Sequence, residues 1–459
     1  MPSGSMAWAG RPSRHARRVR SPETPPRNIS VDARGATGTP SRLTRLQLRN
    51  VNYIKNSEEP REEDGEQDRE EPEKNLITSA RLELSETAAA KTSPDFTWAR
   101  HADLPAPGGL KGMYAGLSHG RVILAGGSYF PVPASQGGKK EYARRVFTRP
   151  ADAPAGAAWE IDAAALPAGL GEGASVTTEH GVVVMGGNSE AGPVADVFLL
   201  KWDGDAGRVA RTPLPPLPEP VANAAAVCRD GKLYIIGGEN SGRASRRLMR
   251  LDLAAATGGE AGAAWRELPP LPGTPRCGAA AAVLRAGTGE RLFVFGGRAE
   301  AAGRVVETDY LADGFSYDFE TGAWAPAAPL PWRALLPAAA RTGAGEMVVM
   351  GGSDGSHLAR VTGPDAHPAP ALPDHMALYD AGANQWRAAG RMPLGAVSAA
   401  VADLGGRWLV AGGEPAPGLR TRTVYIMEKA TRQTRRQDAR IVTNGFPSAP
   451  PPAASAPLR

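Results

Sequence analysis

Six short apolar runs, each ending in a pair of glycines, recur through the middle of this 459-residue chain. The runs are RVILAGG, GVVVMGG, KLYIIGG, RLFVFGG, EMVVMGG and RWLVAGG, and their pairs end at Gly127, Gly187, Gly238, Gly297, Gly352 and Gly413. Successive pairs lie 60, 51, 59, 55 and 61 residues apart. A period of this length is typical of a repeat architecture in which each unit is one supersecondary element.

A tryptophan followed by a proline-containing turn runs in phase with the glycine pairs. It begins at Trp98, Trp159, Trp265, Trp324 and Trp386, and one further copy has Val209 where tryptophan is expected. A weaker strand, such as ADVFLLKWD or GFSYDF, often stands between the two markers. Glycine pair, weaker strand and tryptophan together form one kelch-type unit, and the chain contains six of them.

The pattern predicts a closed ring of small sheets. Each apolar run reads as a strand buried on both faces, because neighbouring units cover it. The glycines suit a crowded backbone near the ring axis, where a positive φ is needed, and the tryptophan supplies an apolar plate between units. One unit cannot bury its own faces, so the ring must close. The sequence therefore predicts an all-β fold, a six-bladed kelch-type β-propeller. A β-sandwich or two small all-β domains would give no shared six-fold phase.

The point of closure can also be predicted. Trp98 precedes every glycine pair, whereas the last copy ends at TVYIMEK with no tryptophan behind it. The strand near Phe96–Arg100 is therefore expected to be the outermost strand of the last blade. We expect the propeller at 95–429, with disordered extensions at 1–94 (Arg-rich, then acidic) and at 430–459 (basic and Pro-rich).

Charge and hydropathy restrict the classes of function. The net charge is +5, but residues 96–428 alone carry −1, so the basicity gives no argument for nucleic-acid binding by the propeller. No run of 18 or more apolar residues exists, and a membrane span is not expected. The compartment stays open: no signal peptide is visible, which favours the cytoplasm, and a periplasmic location follows if the start is misassigned.

The loops after the glycine pairs are the expected place for function, because a propeller carries its sites at one mouth of the central channel. These loops begin with polar or charged residues: Ser128, Asn188, Glu239, Arg298, Ser353 and Glu414. Such residues at the ends of buried strands suit a polar pocket on the axis, although any one of them can also simply cap its turn.

One of these loops, GGEPAPGLRTRTVY, is unusually stiff. Two prolines and a glycine separate Glu414 from Arg420, so the carboxylate and the guanidinium keep a fixed relation. An arginine can hold a carboxylate through two parallel hydrogen bonds, and a glutamate can act as a general base. The alternative is a structural salt bridge.

The segment GEPAPGLRT resembles the GEAKPGLRT-type loop of the bacterial N-acetylneuraminate epimerases, the sialic-acid mutarotases of the kelch superfamily. The resemblance implies that Glu414 is the catalytic base and that Arg420 lies in the active site. It extends over all six repeats in a shifted order: GGLKGMYAGLSHGRVILAGG is similar to the family's fifth blade, and the Glu/Arg loop comes last. This order and the QGGKKEY insertion resemble the cyclically permuted branch of the family, and a closed ring tolerates such a shift.

The resemblance implies an isomerase that interconverts the α and β anomers of N-acetylneuraminate, an acidic sugar, with no cofactor and no metal. It leaves a homodimer open. The general acid is not identified, and Lys139, Asn188, Glu239 and Arg298 are the candidate substrate-binding or acid residues. The alternative from another class is a non-catalytic kelch propeller that binds a protein or glycan partner. A copper-radical oxidase is disfavoured because the seven histidines do not cluster, and Cys228 and Cys277 are expected to be free thiols.

Overall fold

The structure, a computed structural model, describes residues 95–162, 166–260, 262–300, 305–360 and 371–430. They belong to the second of the two units into which the chain divides, Met1–Arg81 and Leu82–Arg459. The extensions expected at 1–94 and, beyond Ala430, up to residue 459 lie outside the described residues.

Six four-stranded antiparallel sheets form the blades of a β-propeller, as the repeats predict. From the innermost to the outermost strand, blade 1 contains β2 (Tyr114–Ser118), β3 (Arg121–Ala125), β6 (Val146–Pro150) and β7 (Glu160–Asp162); blade 2 contains β8 (Ala174–Thr178), β9 (Gly181–Met185), β12 (Val197–Asp203) and β13 (Arg208–Leu214); blade 3 contains β14 (Ala225–Arg229), β15 (Lys232–Ile236), β18 (Leu248–Asp252) and β19 (Arg266–Leu268); blade 4 contains β20 (Ala280–Ala286), β21 (Gly289–Phe295), β22 (Gly314–Asp318) and β23 (Trp324–Ala327); blade 5 contains β24 (Ala338–Gly343), β25 (Glu346–Met350), β26 (His375–Asp380) and β27 (Gln385–Arg391); blade 6 contains β28 (Ala400–Asp403), β29 (Arg407–Ala411), β30 (Val424–Lys429) and β1 (Phe96–His101).

Short elements decorate the loops between the blade strands. Three two-stranded hairpins are β4 (Ser128–Tyr129) with β5 (Glu141–Tyr142), β10 (Asn188–Ser189) with β11 (Gly192–Pro193), and β16 (Glu239–Asn240) with β17 (Arg243–Ala244). The described α-helices are α1 (Leu253–Thr257) and α2 (Ser356–Arg360), and single 3-10 turns span Ala134–Gln136 and Glu307–Asp309. No described helix is long and apolar enough to cross a membrane.

The two ends of the propeller sequence meet in blade 6. Strand β1 lies outermost there and pairs antiparallel with β30, from Phe96 opposite Lys429 to His101 opposite Val424. Phe96 and Trp98 are both buried in the core of this blade. The ring is therefore closed by hydrogen bonds and apolar packing between chain segments more than 300 residues apart in sequence.

The core lies between the blades. In β9, for example, the side chains of Val182 through Met185 are fully inaccessible to solvent, because the neighbouring blades cover both faces of the strand. Each such valine or methionine contributes about 1.5–3 kcal/mol through burial. The prediction that the glycine-pair runs are two-sided buried strands is confirmed.

The tryptophan and proline markers join neighbouring blades. The indole N–H groups of four tryptophans donate to backbone carbonyls in the turn after the outer strand of the preceding blade: Trp159 to Ala102 (3.1 Å), Trp265 to Pro215 (2.9 Å), Trp324 to Pro269 (2.9 Å) and Trp386 to Ala328 (2.9 Å). Val209 takes the tryptophan position in blade 2 and is likewise buried. The two markers recur in phase because they form one contact that is repeated around the ring.

The glycine pairs are required by backbone geometry. In all six pairs both residues have a positive φ, 57° to 66° for the first and 86° to 115° for the second. A Cβ at Gly126 would collide with the carbonyl oxygen of Leu170, which begins the next blade. Only glycine combines this conformation with so close an approach between neighbouring blades.

A closed ring of backbone hydrogen bonds surrounds the axis just before the innermost strands. One residue per blade donates its N–H to the carbonyl of the corresponding residue in the preceding blade; the members are Gly112, Glu172, Asn223, Gly278, Leu336 and Ser398, and the six distances are 2.6–3.1 Å. All six have a positive φ between 49° and 66°. Four of them are not glycine, and such strained positions are often found at functional sites. We call these six residues the axial ring.

Candidate active site

The polar residues after the glycine pairs meet at one mouth of the propeller. Each forms a backbone bridge with the residue before the axial-ring member of its own blade: Ser128 with Lys111, Asn188 with Gly171, Glu239 with Ala222, Arg298 with Cys277, Ser353 with Leu335 and Glu414 with Val397. The fold therefore directs these six side chains toward the same end of the axis. We call this region the mouth.

Glu414 is held in an ion cluster at the mouth. Its Oε2 lies 2.9 Å from Lys111 Nζ and 2.5 Å from Arg420 Nη1, and its Oε1 accepts the N–H of Gly418 at 2.8 Å. Burial by itself would raise the pKa of Glu414, but the charges of Lys111 and Arg420 outweigh it and hold that pKa below the ordinary value. Glu414 is therefore a carboxylate at neutral pH, with 12% of its side chain exposed.

Arg420 is buried, with 5% of its side chain exposed, and its guanidinium lies 4.9 Å above the centre of the Phe130 ring. Its Nη1 approaches Glu414 as an ion pair, but neither Nη1 nor Nε has a hydrogen-bond acceptor within the described part of the chain. Arg420 thus combines a fixed position with unused donors, which suits recognition of an anionic ligand.

The loop that connects these two residues is as stiff as its sequence predicts. Leu419 donates its N–H to Ala416 (2.9 Å), and Thr421 donates to Gly413 (3.0 Å), which closes the loop at its base. Gly418 has a φ of 78°, and this conformation turns its N–H toward Glu414. A residue with a Cβ would be strained here, so the glycine of the motif has a direct role in positioning the carboxylate.

A second carboxylate, Glu172, lies beside the first in the same half of the mouth. It is a member of the axial ring, and its side chain is 5% exposed. Four side chains donate to it: Ser128 (3.1 Å), Lys140 (3.0 Å), Tyr142 (3.0 Å) and Asn188 (3.1 Å). Burial would raise its pKa, but the charges of Lys111 and Lys140 and these hydrogen bonds lower it to about 2.

Lys111, Lys140 and Glu172 were not among the residues expected from the sequence. Lys111 and Glu172 had one usable signal: both are charged residues directly before a buried innermost strand, where the other blades mostly have small or apolar residues. Lys139 was expected at the site, but it is exposed, and the next residue, Lys140, makes the contact with Glu172.

The remaining expected residues lie at the mouth. Asn188 donates to Glu172, as described above. Glu239 accepts from Asn223 Nδ2 at 2.8 Å and pairs with Arg298 Nη2 at 3.4 Å. Cys277, a buried free thiol, lies beside this pair; burial and the charge of Glu239 raise its pKa to about 12. Glu239 also lines a pocket of about 330 Å³ that lies over blades 2 and 3, together with Arg243.

These contacts divide the mouth into two halves. Blades 6, 1 and 2 contribute Glu414, Arg420, Lys111, Lys140 and Glu172, which we call the six–one–two cluster. Blades 3 and 4 contribute the Glu239–Arg298 pair. Within the described residues no group of three or more His, Cys, Asp or Glu side chains is arranged to hold a metal ion. The chemistry available at the mouth is therefore that of carboxylates, ammonium groups and guanidinium groups.

Comparison with known proteins agrees with this fold. A sequence model of the N-acetylneuraminate epimerase family matches residues 79–209, and the kelch motif matches residues 220–272 and 275–331. The chain is a kelch propeller related to the N-acetylneuraminate epimerases. The shifted order of its blades relative to that family stays a prediction.

Several curated relatives carry that name. The N-acetylneuraminate epimerase of Yersinia pestis (strain Pestoides F) is 28% identical over 233 residues, which is 46% of this chain and 56% of the relative. The one from Brucella suis is 34% identical over 121 residues, 24% of this chain and 31% of the relative. N-acetylneuraminate epimerase 1 of Escherichia coli O6:H1 is 30% identical over 115 residues, 23% and 29%. The match therefore spans about half the length of the first of these relatives.

Proposed function

We propose that this protein is a sialic-acid mutarotase that interconverts the α and β anomers of N-acetylneuraminate. The observation that carries the proposal is the pairing of a deprotonated Glu414 with a buried Arg420 that has unused donors, on one stiff loop at the mouth. The relatives named above act as the second line of support, since all three carry the name N-acetylneuraminate epimerase.

The substrate suits this pair chemically. In N-acetylneuraminate the anomeric carbon bears a carboxylate, a hydroxyl group and the ring oxygen. Arg420 would hold the carboxylate through its guanidinium donors, and the bound anion would compete with Glu414 for that guanidinium. Glu414 would then be free to accept the proton of the anomeric hydroxyl.

Removal of this proton opens the ring. The electrons of the O–H bond form the carbonyl, the bond from the anomeric carbon to the ring oxygen breaks, and the ring oxygen takes up a proton from a second group. Rotation about the bond next to the carbonyl exposes its other face, and reclosure by the reverse steps gives the other anomer. Arg420 keeps the carboxylate fixed during this rotation, so that reclosure takes place within the site.

The test is NMR of freshly released α-N-acetylneuraminate with the purified protein. We expect exchange to the β anomer faster than the spontaneous rate. Glu414→Gln removes the base but keeps the shape of the side chain, and it should lower the excess rate by about 100-fold or more. The matched control is Glu320→Gln, which alters a glutamate 79% exposed on a distant turn of blade 4 and should leave the rate unchanged.

Equal exchange in the presence and absence of wild-type protein would rule out the mutarotase activity. If the sugar still bound under those conditions, the non-catalytic glycan-binding propeller would be the better account.

A further inference from the structure

Ring opening needs an acid as well as a base, and the substrate dictates where both must stand. The hydroxyl group, the carboxylate and the ring oxygen are attached to the same carbon. Groups that act on the three must therefore converge within a few ångströms of each other. If Glu414 and Arg420 serve two of these substituents, the acid must be their direct neighbour.

Lys111 has this position. Its Nζ lies 2.9 Å from Glu414 Oε2, the same oxygen that Arg420 approaches, and 17% of its side chain is exposed. Lys111 precedes the axial-ring residue Gly112, and its backbone is paired with Ser128 in both directions, at 3.0 and 2.7 Å. The ammonium is therefore mounted on rigid backbone rather than on a mobile loop.

Glu172 supports this ammonium from the next blade. A Cβ added at Gly112 would lie 2.8 Å from Glu172 Cγ, so the Glu172 side chain packs directly on the backbone beside Lys111. Lys111 is also the charged group that most strongly lowers the pKa of Glu172 against the opposing effect of burial. Two carboxylates on neighbouring blades thus face one ammonium, and this arrangement favours its protonated form.

The other candidates fit this role less well. Lys140 and Asn188 are both occupied as donors to Glu172. Arg298 pairs with Glu239 in the other half of the mouth, and a guanidinium does not release its proton at accessible pH. His357 of blade 5 is bonded to Ser353 (3.2 Å), and burial lowers its pKa, so it is mostly without a proton to give at neutral pH.

We propose that Lys111 is the general acid that protonates the ring oxygen of the sugar, and that Glu172 is the residue that positions and charges it. This inference rests on the proposed mutarotase function. In the opening step Glu414 takes the hydroxyl proton, the C–O bond electrons go to the ring oxygen, and Lys111 gives that oxygen a proton and becomes a neutral amine. Closure returns both protons to their donors, so that no other reactant is consumed.

Lys111→Arg is the most informative variant. It keeps the positive charge and the partners Glu414 and Glu172, but it cannot donate a proton at accessible pH. We expect kcat for anomer exchange to fall by about 100-fold or more, with KM within about threefold of the wild-type value, because the charge near the sugar is retained. Lys201→Arg, on the exposed face of β12, is the matched control and should exchange at the wild-type rate. Thermal unfolding checks that each variant is folded.

Glu172→Gln tests the positioning role through the pH profile. Loss of its charge makes the protonated amine less favourable, so the alkaline limb of kcat/KM should move to lower pH. A purely structural role would leave this limb where it is. A Lys111→Arg enzyme with wild-type kcat, or an unmoved limb in Glu172→Gln, would overturn the assignment while an active wild type left the mutarotase function standing. An inactive wild type would remove both proposals.

Discussion

The two halves of the mouth solve the problem of buried charge differently. In the six–one–two cluster, two carboxylates share three cations, and both carboxylate side chains are at most 12% exposed. In the other half, Glu239 and Arg298 form a single pair whose side chains are 18% and 17% exposed. Charges that are removed from water must be compensated by partners, whereas partly exposed ones are compensated by solvent. The six–one–two cluster should therefore be the more strongly coupled half.

Within the six–one–two cluster the two carboxylates also differ. Glu172 accepts from four side chains, so its lone pairs are largely occupied. Glu414 has two cations on one oxygen and one backbone N–H on the other. The saturated carboxylate is suited to hold its neighbours in place, and the less saturated one is suited to accept a proton.

The largest expected effect follows from removal of the saturated carboxylate. Glu172→Ala leaves Lys111 and Lys140 without their shared counter-charge, and the free energy of unfolding should fall by about 3–5 kcal/mol. Glu239→Ala in the other half should lower it by about 1 kcal/mol, since solvent compensates Arg298. Urea denaturation of both variants measures the difference. Equal losses would contradict the distinction between the halves.

A smaller effect is expected from acid. The pKa of Glu172 is held at about 2, below the ordinary 4.5, so its charge stabilises the folded state above pH 4.5 and this contribution is lost as the pH falls toward 2. The full contribution is about 3 kcal/mol. The free energy of unfolding of the wild type should therefore decrease between pH 5 and pH 3 more steeply than that of Glu172→Gln. Parallel curves would show that another group governs the acid response.

The smallest effect concerns one hydrogen bond. Tyr142→Phe removes a buried donor to Glu172 and should cost about 1–2 kcal/mol of unfolding free energy. Tyr129→Phe, in the same hairpin, removes a donor to Glu141 near the surface and should cost less than about 0.5 kcal/mol. If Tyr129→Phe were the more destabilising of the two, the packing of the hairpin rather than the buried carboxylate would be the main source of stability.

The contrast between core and mouth also explains what the sequence could predict. The six blades follow from local patterns, because every blade meets the same neighbours and repeats the same buried strand, glycine pair and tryptophan. Val209 illustrates this: the blade that lacks the tryptophan still keeps a buried apolar residue at that position. The Glu414–Arg420 loop was accessible through its stiff motif and its family resemblance.

The rest of the site depends on register and ring closure. Lys140 rather than Lys139 faces Glu172 because it lies two residues before Tyr142, which also faces that carboxylate, and alternate residues of a strand share a face. Lys111 reaches Glu414 only because the first and last blades are neighbours in the closed ring. No local pattern reveals a contact between residues 303 positions apart in the chain.

The central claim is that Glu414 acts on a sugar held at the mouth, and it is tested most directly by measuring binding and exchange on one variant. Glu414→Gln, titrated with N-acetylneuraminate while anomer exchange is followed by NMR, should bind the sugar about as tightly as the wild type and exchange it at the rate seen in buffer. A variant that exchanges the anomers at the wild-type rate would contradict the account, because the carboxylate would then have no part in the reaction.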